Sequence, residues 1–117
     1  MASFALTLPV LPGKTPQLRR FLEEVLGPRR DKHNASRQSF GGSGLTKELA
    51  WLQQIPQGEV VIVYFEGEDP MRWFQEWIAS PDPHDRWFLQ EVKSITGIDF
   101  HSPQAGPLPE LIFDWHR

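Results

Sequence analysis

His84 is the residue whose position most favours chemistry. It follows Asp82-Pro83, a pair typical of a helix start, and so lies in the first turn of a predicted helix. The positive end of the helix dipole disfavours the charged imidazolium there. A helical wheel brings His84 close to Trp87 and Phe88, where a neutral imidazole can act as a general base or bind a ligand. The alternative is a histidine that packs on Phe88 and bonds a backbone carbonyl.

Aromatic and polar residues elsewhere in the chain can complete a pocket around His84. Small-molecule pockets are mostly apolar and carry a few polar anchors. The predicted lining residues are Trp51, Tyr64, Trp73, Trp77 and Trp87, with Arg37 and Glu48 as polar anchors for a carboxylate or a phenol-like ligand. Arg30 and His33 lie in the same polar stretch as Arg37. The competing interpretation places the tryptophans in the core and in a dimer interface, and leaves the charges in solvent.

The sequence predicts neither a metal site nor a cofactor. The four histidines show no paired helical spacing, and the chain has no cysteine. His84 and Asp85 are adjacent, but neighbouring residues do not share a helical face. The run Gly41-Gly42-Ser43-Gly44 lacks the Lys-Ser/Thr of a phosphate loop, so we expect a flexible connection over 39–44.

Composition excludes several classes of protein. A chain of 117 residues predicts one domain, spanning 1–117. A net charge of −3 gives no basic field for nucleic acid. The longest apolar run, Val60 to Phe65, is far too short to cross a membrane, and the first residues carry no positive charge typical of a signal peptide. The absence of cysteine fits a reducing compartment, so we predict a cytoplasmic protein.

Hydrophobic periodicity predicts the elements that position these residues. Alternation predicts strands, and apolar residues at i, i+3 and i+4 after Thr15-Pro16, Asp69-Pro70 and Asp82-Pro83 predict helices. The predicted elements are a strand over 3–10, helices over 15–26 and 29–38, strands over 47–53 and 59–65 joined as a hairpin, helices over 70–80 and 83–96, and a fourth strand over 108–115. The 59–65 strand is apolar on both faces, which indicates a central strand or one covered by a partner.

This order predicts an α+β domain with a ferredoxin-like βαββαβ arrangement. Right-handed crossovers place the helices on one face of a four-stranded antiparallel sheet. The other face stays bare and apolar, which favours a homodimer whose sheets pack together.

On these residues the chain resembles the dimeric α/β-barrel superfamily, which includes antibiotic-biosynthesis-monooxygenase-like and related bacterial proteins. The resemblance rests on the strand ending at Val10, the run Leu11-Pro12-Gly13-Lys14, and the 59–65 strand that leads into the helix after Asp69-Pro70. Haem-degrading members use an Asn on the first strand, where this chain has Ser3 and Thr7 but no Asn, which disfavours that activity.

The resemblance implies a homodimer with a pocket for a small apolar or aromatic ligand. In that case the protein binds a small molecule, or acts as a cofactor-free monooxygenase- or isomerase-like enzyme with His84 as its acid–base group. The alternative is a non-catalytic homodimeric structural or interaction module without a ligand pocket. The sequence does not decide whether the protein is an enzyme.

Overall fold

The computed structural model of the protein describes residues 2–38 and 44–117. The elements are β1 (Ala2–Val10), α1 (Thr15–Leu26), α2 (Arg30–Gln38), β2 (Leu45–Ile55), β3 (Gly58–Gly67), α3 (Pro70–Ile78) and α4 (Pro83–Thr96), followed by a 3₁₀ turn (Pro103–Ala105). The flexible connection predicted over 39–44 lies outside the described residues except for Gly44.

The helices begin and end close to the residues that the sequence indicates. The Asp69 carboxylate accepts a hydrogen bond from the backbone N–H of Arg72, and the Asp82 carboxylate accepts from His84 and Asp85. Gly97 ends α4 in the left-handed conformation, with φ of 76°. The first helical residue of α1 is Thr15, and the residue in the cap position is Lys14, whose side chain makes no capping hydrogen bond.

The three strands form one antiparallel sheet in the order β1-β3-β2. The central position of β3 confirms the prediction from its two apolar faces. Leu8 and Leu52 both pair with Val61, so one face of the sheet carries the even-numbered residues of β1 and β2. We call this the inner face. The opposite, outer face carries Trp51 and its partner Ile62.

The predicted fourth strand does not form. The class is α+β as expected, but the prediction of a four-stranded ferredoxin-like βαββαβ sheet, with the dimeric α/β barrel built on it, is wrong. After α4 the chain is held on the helix layer, where Phe100 packs edge-on against Phe74 and His101 bonds the carbonyl of Ile78 at 2.8 Å. Residues 108–115 belong to no helix or strand, and Pro107 and Pro109 mark the start of this segment.

The core lies between the inner face and the helices α3 and α4. Its centre is aromatic: Trp73 and Trp77 stack at 5.2 Å between ring centroids and are 0% and 1% exposed. Phe74 packs between Phe4 and Phe65, which binds α3 to β1 and β3. Across the described ranges, no helix combines the length and the apolar character that crossing a bilayer demands.

Candidate functional site

A cavity of about 500 Å³ lies between the inner face of the sheet and the helices α1, α2 and α4. Its wall is mostly apolar and includes Leu8, Leu18, Leu22, Ala50, Val63 and Val92. The exposed residues Gln38 and Ala50 also border it, so the cavity opens to solvent on the β2 side. This volume falls within the range of roughly 300 to 1,000 Å³ that small-molecule pockets occupy.

The cavity exists because no apolar helix face lies across the inner face of β2. On β1 the inner residues Leu6 and Leu8 are buried, whereas on β2 Leu52 is half-buried and Ala50 is exposed. The helix nearest to β2 is α2, whose only apolar residue is Ala35. Since α2 carries no large apolar side chain, the residues that the structure describes leave the space beneath β2 unfilled.

A buried ion pair forms the polar end of the cavity. Arg37, at the end of α2, is 6% exposed and donates to both oxygens of Glu48 on β2, at 2.9 and 3.0 Å. The guanidinium also lies 4.7 to 5.0 Å from the ring centroids of Trp73, Phe88 and Trp77. The pair is therefore fixed in geometry, and the charge of Arg37 is neutralised at the cavity wall.

Two glycines let the end of α2 approach the sheet closely enough for this pair. A Cβ on Gly44 would lie 2.6 Å from the carbonyl oxygen of Arg37. A Cβ on Gly67 would clash with the backbone of Gly44. Any larger residue at either position would push α2 away from Glu48.

Two histidines connect Glu48 to Arg29 through one run of hydrogen bonds. The distances are 3.5 Å from Arg29 Nη1 to His84 Nδ1, 3.3 Å from His84 Nε2 to His33 Nδ1, and 2.8 Å from His33 Nε2 to Glu48 Oε1. An arginine only donates, so Nδ1 of His84 accepts. With both rings neutral, each carries its proton on Nε2, and every group in the run has a donor matched to an acceptor.

The pKa values of Glu48 and His84 in this run differ from those of free side chains. Burial alone would raise the pKa of Glu48, but the attraction of Arg37 and the hydrogen bonds from His33 and Arg37 outweigh it and lower the pKa from 4.5 to about 2. Burial lowers the pKa of His84, and the electrostatic influence of the neighbouring His33, Arg37 and Arg29 lowers it further against the opposing charge of Asp85. Glu48 is thus ionised and His84 neutral at neutral pH.

Asp85 holds together the helices that carry these side chains. The sequence analysis did not predict this role for Asp85. The carboxylate is 1% exposed and accepts hydrogen bonds from the Ser36 and Ser80 hydroxyls and from the Trp77 indole. These contacts join α2, α3 and α4. A signal exists in the sequence: Asp85 precedes Phe88, Leu89 and Val92 at i+3, i+4 and i+7, which puts a carboxylate on the inward stripe of α4.

The predicted site residues do not all come together. Arg37, Glu48 and Trp77 line the cavity. His84 is buried at 3% exposure but borders a separate polar cleft with Arg29 and Asp82, and it reaches the cavity only through His33. The His84 ring bonds the side chains of Arg29 and His33. The alternative prediction, in which this ring bonds a backbone carbonyl, therefore named the wrong hydrogen-bond partner.

The remaining predicted residues lie outside the cavity. Trp73 is at the centre of the core, and Trp87 packs against Phe21 beneath the guanidinium of Arg29 at 3.7 Å. Trp51 and Tyr64 are on the outer face of the sheet. Tyr64 donates to Glu66 at 2.6 Å, which raises the pKa of its hydroxyl. Alternation in a strand shows which residues share a face, but not which of the two faces the helices cover.

Metal ligation finds no support in the geometry. Within 2–38 and 44–117, no three side chains of His, Cys, Asp or Glu are grouped so that they can hold a metal ion. His33, His84 and Glu48 are in a line and bond one another, instead of converging on a point.

Comparisons with known proteins return no relative. No family model matches the chain, and neither the curated proteins nor the solved structures contain a significant match. The resemblance to the dimeric α/β-barrel superfamily therefore stays a prediction.

Proposed function

We propose that the protein binds a small apolar or aromatic molecule in the cavity beneath β2. The observation that carries this proposal is an open space of about 500 Å³ with an apolar wall and a single fixed polar end. Protein interiors are normally close-packed, and an unfilled space of this size forfeits contacts that larger side chains would supply. Binding a ligand is a physical reason for a chain to leave it open.

The polar end selects the chemistry of the ligand. Arg37 is already neutralised by Glu48, so a ligand carboxylate finds no unpaired positive charge there. A carboxylate has about four acceptor sites. Glu48 uses three of them, two on Oε1 for His33 and Arg37 and one on Oε2 for Arg37. The remaining site on Oε2 suits an O–H donor, and this supports a phenol-like ligand over a carboxylate.

Binding is better supported than catalysis. His84, the acid–base group expected from the sequence, has no contact with the cavity and would act only through His33. Both nitrogens of His33 are already bonded, so a ligand finds no free ring nitrogen. A cofactor-free monooxygenase- or isomerase-like activity stays a prediction that needs one of these bonds to open.

We also propose that the protein works as a homodimer that covers the outer face of the sheet. Trp51 and Leu49 are 52% and 42% exposed on that face, beside half-buried Ile62 and Tyr64. An apolar sheet surface of this kind is typical of an interface. A cytoplasmic location, inferred from the absence of cysteine, belongs with these proposals.

A thermal-shift comparison of three probes tests the ligand proposal. We expect 1-naphthol to raise the unfolding temperature more than naphthalene, and 1-naphthoate to have the smallest effect. At a hundredfold excess over its Kd a ligand adds about 2.7 kcal/mol of stability. Equal and negligible shifts for all three probes would favour the alternative, a module without a ligand site.

Two variants of β2 supply the matched control. Ala50→Trp adds an indole on the inner face and should abolish the shift by filling the cavity. Gln53→Trp adds the same bulk on the outer face, beside Val60, and should leave the shift unchanged. Loss of the shift in both variants would place binding elsewhere than in the cavity.

A further inference from the structure

Residues 109–115 carry more exposed apolar surface than any other part of the chain that the structure describes. Their four large apolar side chains are 69 to 87% exposed: Leu111, Ile112, Phe113 and Trp115. Leu108 is the last residue that packs against the core. No backbone hydrogen bond of a turn or loop in the described chain reaches beyond Gly106, and no helix or strand includes these residues.

The pattern of this segment is that of a strand without a sheet. Leu111, Phe113 and Trp115 alternate with Ile112 and Asp114, so a straight segment would present large apolar side chains on one side. Burial of such side chains is favourable roughly in proportion to the apolar area that it removes from water. Leaving all of them in water is unfavourable, and an apolar strand without a partner is a site for pairing with another chain.

The free edge of β1, on the side away from β3, offers a surface that is complementary to residues 109–115. The order β1-β3-β2 leaves the nine residues of β1 without a neighbour on one side. On the outer face β1 carries Ser3, Ala5 and Thr7, which are small, and Pro9 near its end, next to the larger Ile62 and Tyr64 of β3. A neighbouring strand with bulky residues fits beside small ones, whereas the other sheet edge, β2, carries Leu49 and Trp51 on that face.

We propose that residues 109–115 pair with the free edge of β1 in a second copy of this chain, reciprocally about a two-fold axis. The segment does not pair with β1 of its own chain, and Phe100 and His101 hold the chain before it against α3. Exchange of a strand between identical chains is a low-cost route to a dimer. A stable interface buries about 800 Å² per partner, and the exchanged side chains together with Trp51 supply an apolar centre for one.

This exchange rests on the proposed homodimer and not on the ligand cavity. Disulfide trapping tests it directly, because the chain has no cysteine of its own and each introduced one is unique. One tagged chain carries a cysteine at Ser3, Ala5 or Thr7, and an untagged chain carries one at Leu111, Phe113 or Trp115. After mixing and mild oxidation, we expect a disulfide between a tagged and an untagged chain for at least one pair of positions.

The control and the contrary outcomes are defined by the same experiment. A tagged chain with Arg72→Cys, on the exposed surface of α3, should not cross-link to the 109–115 cysteines. Cross-links no more frequent than in this control would overturn the exchange. A further chain carries both cysteines, one in β1 and one in 109–115. Disulfides that form only within this chain would also overturn the exchange, since they would show pairing with the β1 of the same chain.

Sedimentation separates this exchange from the homodimer itself. The double variant Leu111→Asp/Phe113→Asp should weaken the dimer at least tenfold, while Asp114→Asn/His116→Gln in the same segment should not. An unchanged dimer in the first variant would reject the exchange and keep a dimer through the outer face. A native chain that sediments as a monomer would reject both, and would leave the ligand proposal standing.

Discussion

The two halves of the helix-covered interior are built on opposite principles. Over β1 and β3, α3 and α4 form a closed half in which Trp73, Phe74 and Trp77 are at most 1% exposed, and Phe74 and Trp77 form its boundary with the cavity. Over β2, the polar helix α2 leaves an open half that contains the cavity. The same three strands support both, so the difference lies in which helix sequence faces them. Stability is concentrated in the closed half, and the proposed function lies in the open one.

Buried charge follows the same division. In the closed half, Asp85 is 1% exposed and is held by three neutral donors. In the open half, Glu48 faces the cavity and keeps one acceptor site free. Each carboxylate accepts three hydrogen bonds from side chains, so the two differ in the charge of their donors and in the cavity that Glu48 faces, and not in the number of bonds.

Removal of an indole from each side of the sheet should have the largest effect. Trp73→Ala leaves a void in the closed half and should lower the free energy of unfolding by about 3 to 5 kcal/mol. Trp51→Ala, at a half-exposed position on the outer face, should cost less than about 1 kcal/mol in dilute monomer. Urea unfolding measures both, and equal costs would contradict a closed half that carries the stability.

Loss of the Asp85 carboxylate should come next. Asp85→Ala leaves the Ser36, Ser80 and Trp77 donors without their acceptor, at a cost of about 3 kcal/mol. Asp85→Asn keeps an acceptor oxygen and should cost less. The free energy of unfolding in urea is again the measurement. An Asp85→Ala variant as stable as the native chain would show that the carboxylate does not join the helices.

Acid should destabilise the open half through Glu48. Its pKa is lowered to about 2 in the folded chain, so its contribution is fully present above the ordinary pKa of 4.5 and is lost as the pH falls from there towards 2. A shift of this size corresponds to about 3 kcal/mol. Glu48→Gln should therefore flatten the pH dependence of unfolding below pH 4.5. An acid limb identical to that of the native chain would show that Glu48 does not carry it.

Added bulk should distinguish the two halves with the smallest change. Ala50→Trp enters existing space and should alter the free energy of unfolding by less than about 0.5 kcal/mol. Leu89→Trp, in α4 at 7% exposure, should cost about 1 to 3 kcal/mol because the closed half has no room. Comparable costs for the two variants would mean that the space beneath β2 is not available.

Much of the fold could be predicted from periodicity and capping residues, and less of the site. The hairpin, the central position of the 59–65 strand and the starts after Asp69 and Asp82 follow from local rules. The prediction of a fourth strand was wrong because alternation in 108–115 shows that a segment can pair as a strand, and does not show that a neighbouring strand is within its reach.

The site depends on long-range geometry that no local pattern encodes. Arg37 and Glu48 were predicted as anchors, but their mutual neutralisation follows only from the approach of α2 to β2. The role of His33 as the link between His84 and Glu48 depends on three elements at once. Trp51 and Tyr64 were assigned to the cavity because alternation leaves the identity of the covered face open.

A titration with 1-naphthol, followed through the backbone amide resonances of ¹⁵N-labelled protein, tests the ligand site most directly. The account predicts saturable shifts that cluster at Leu8, Ala50 and Val63, on the inner face, with none at Trp51 and Ile62 on the outer face. They should disappear in Ala50→Trp. Shifts confined to the outer face, or no saturable shifts at all, would contradict a ligand site beneath β2.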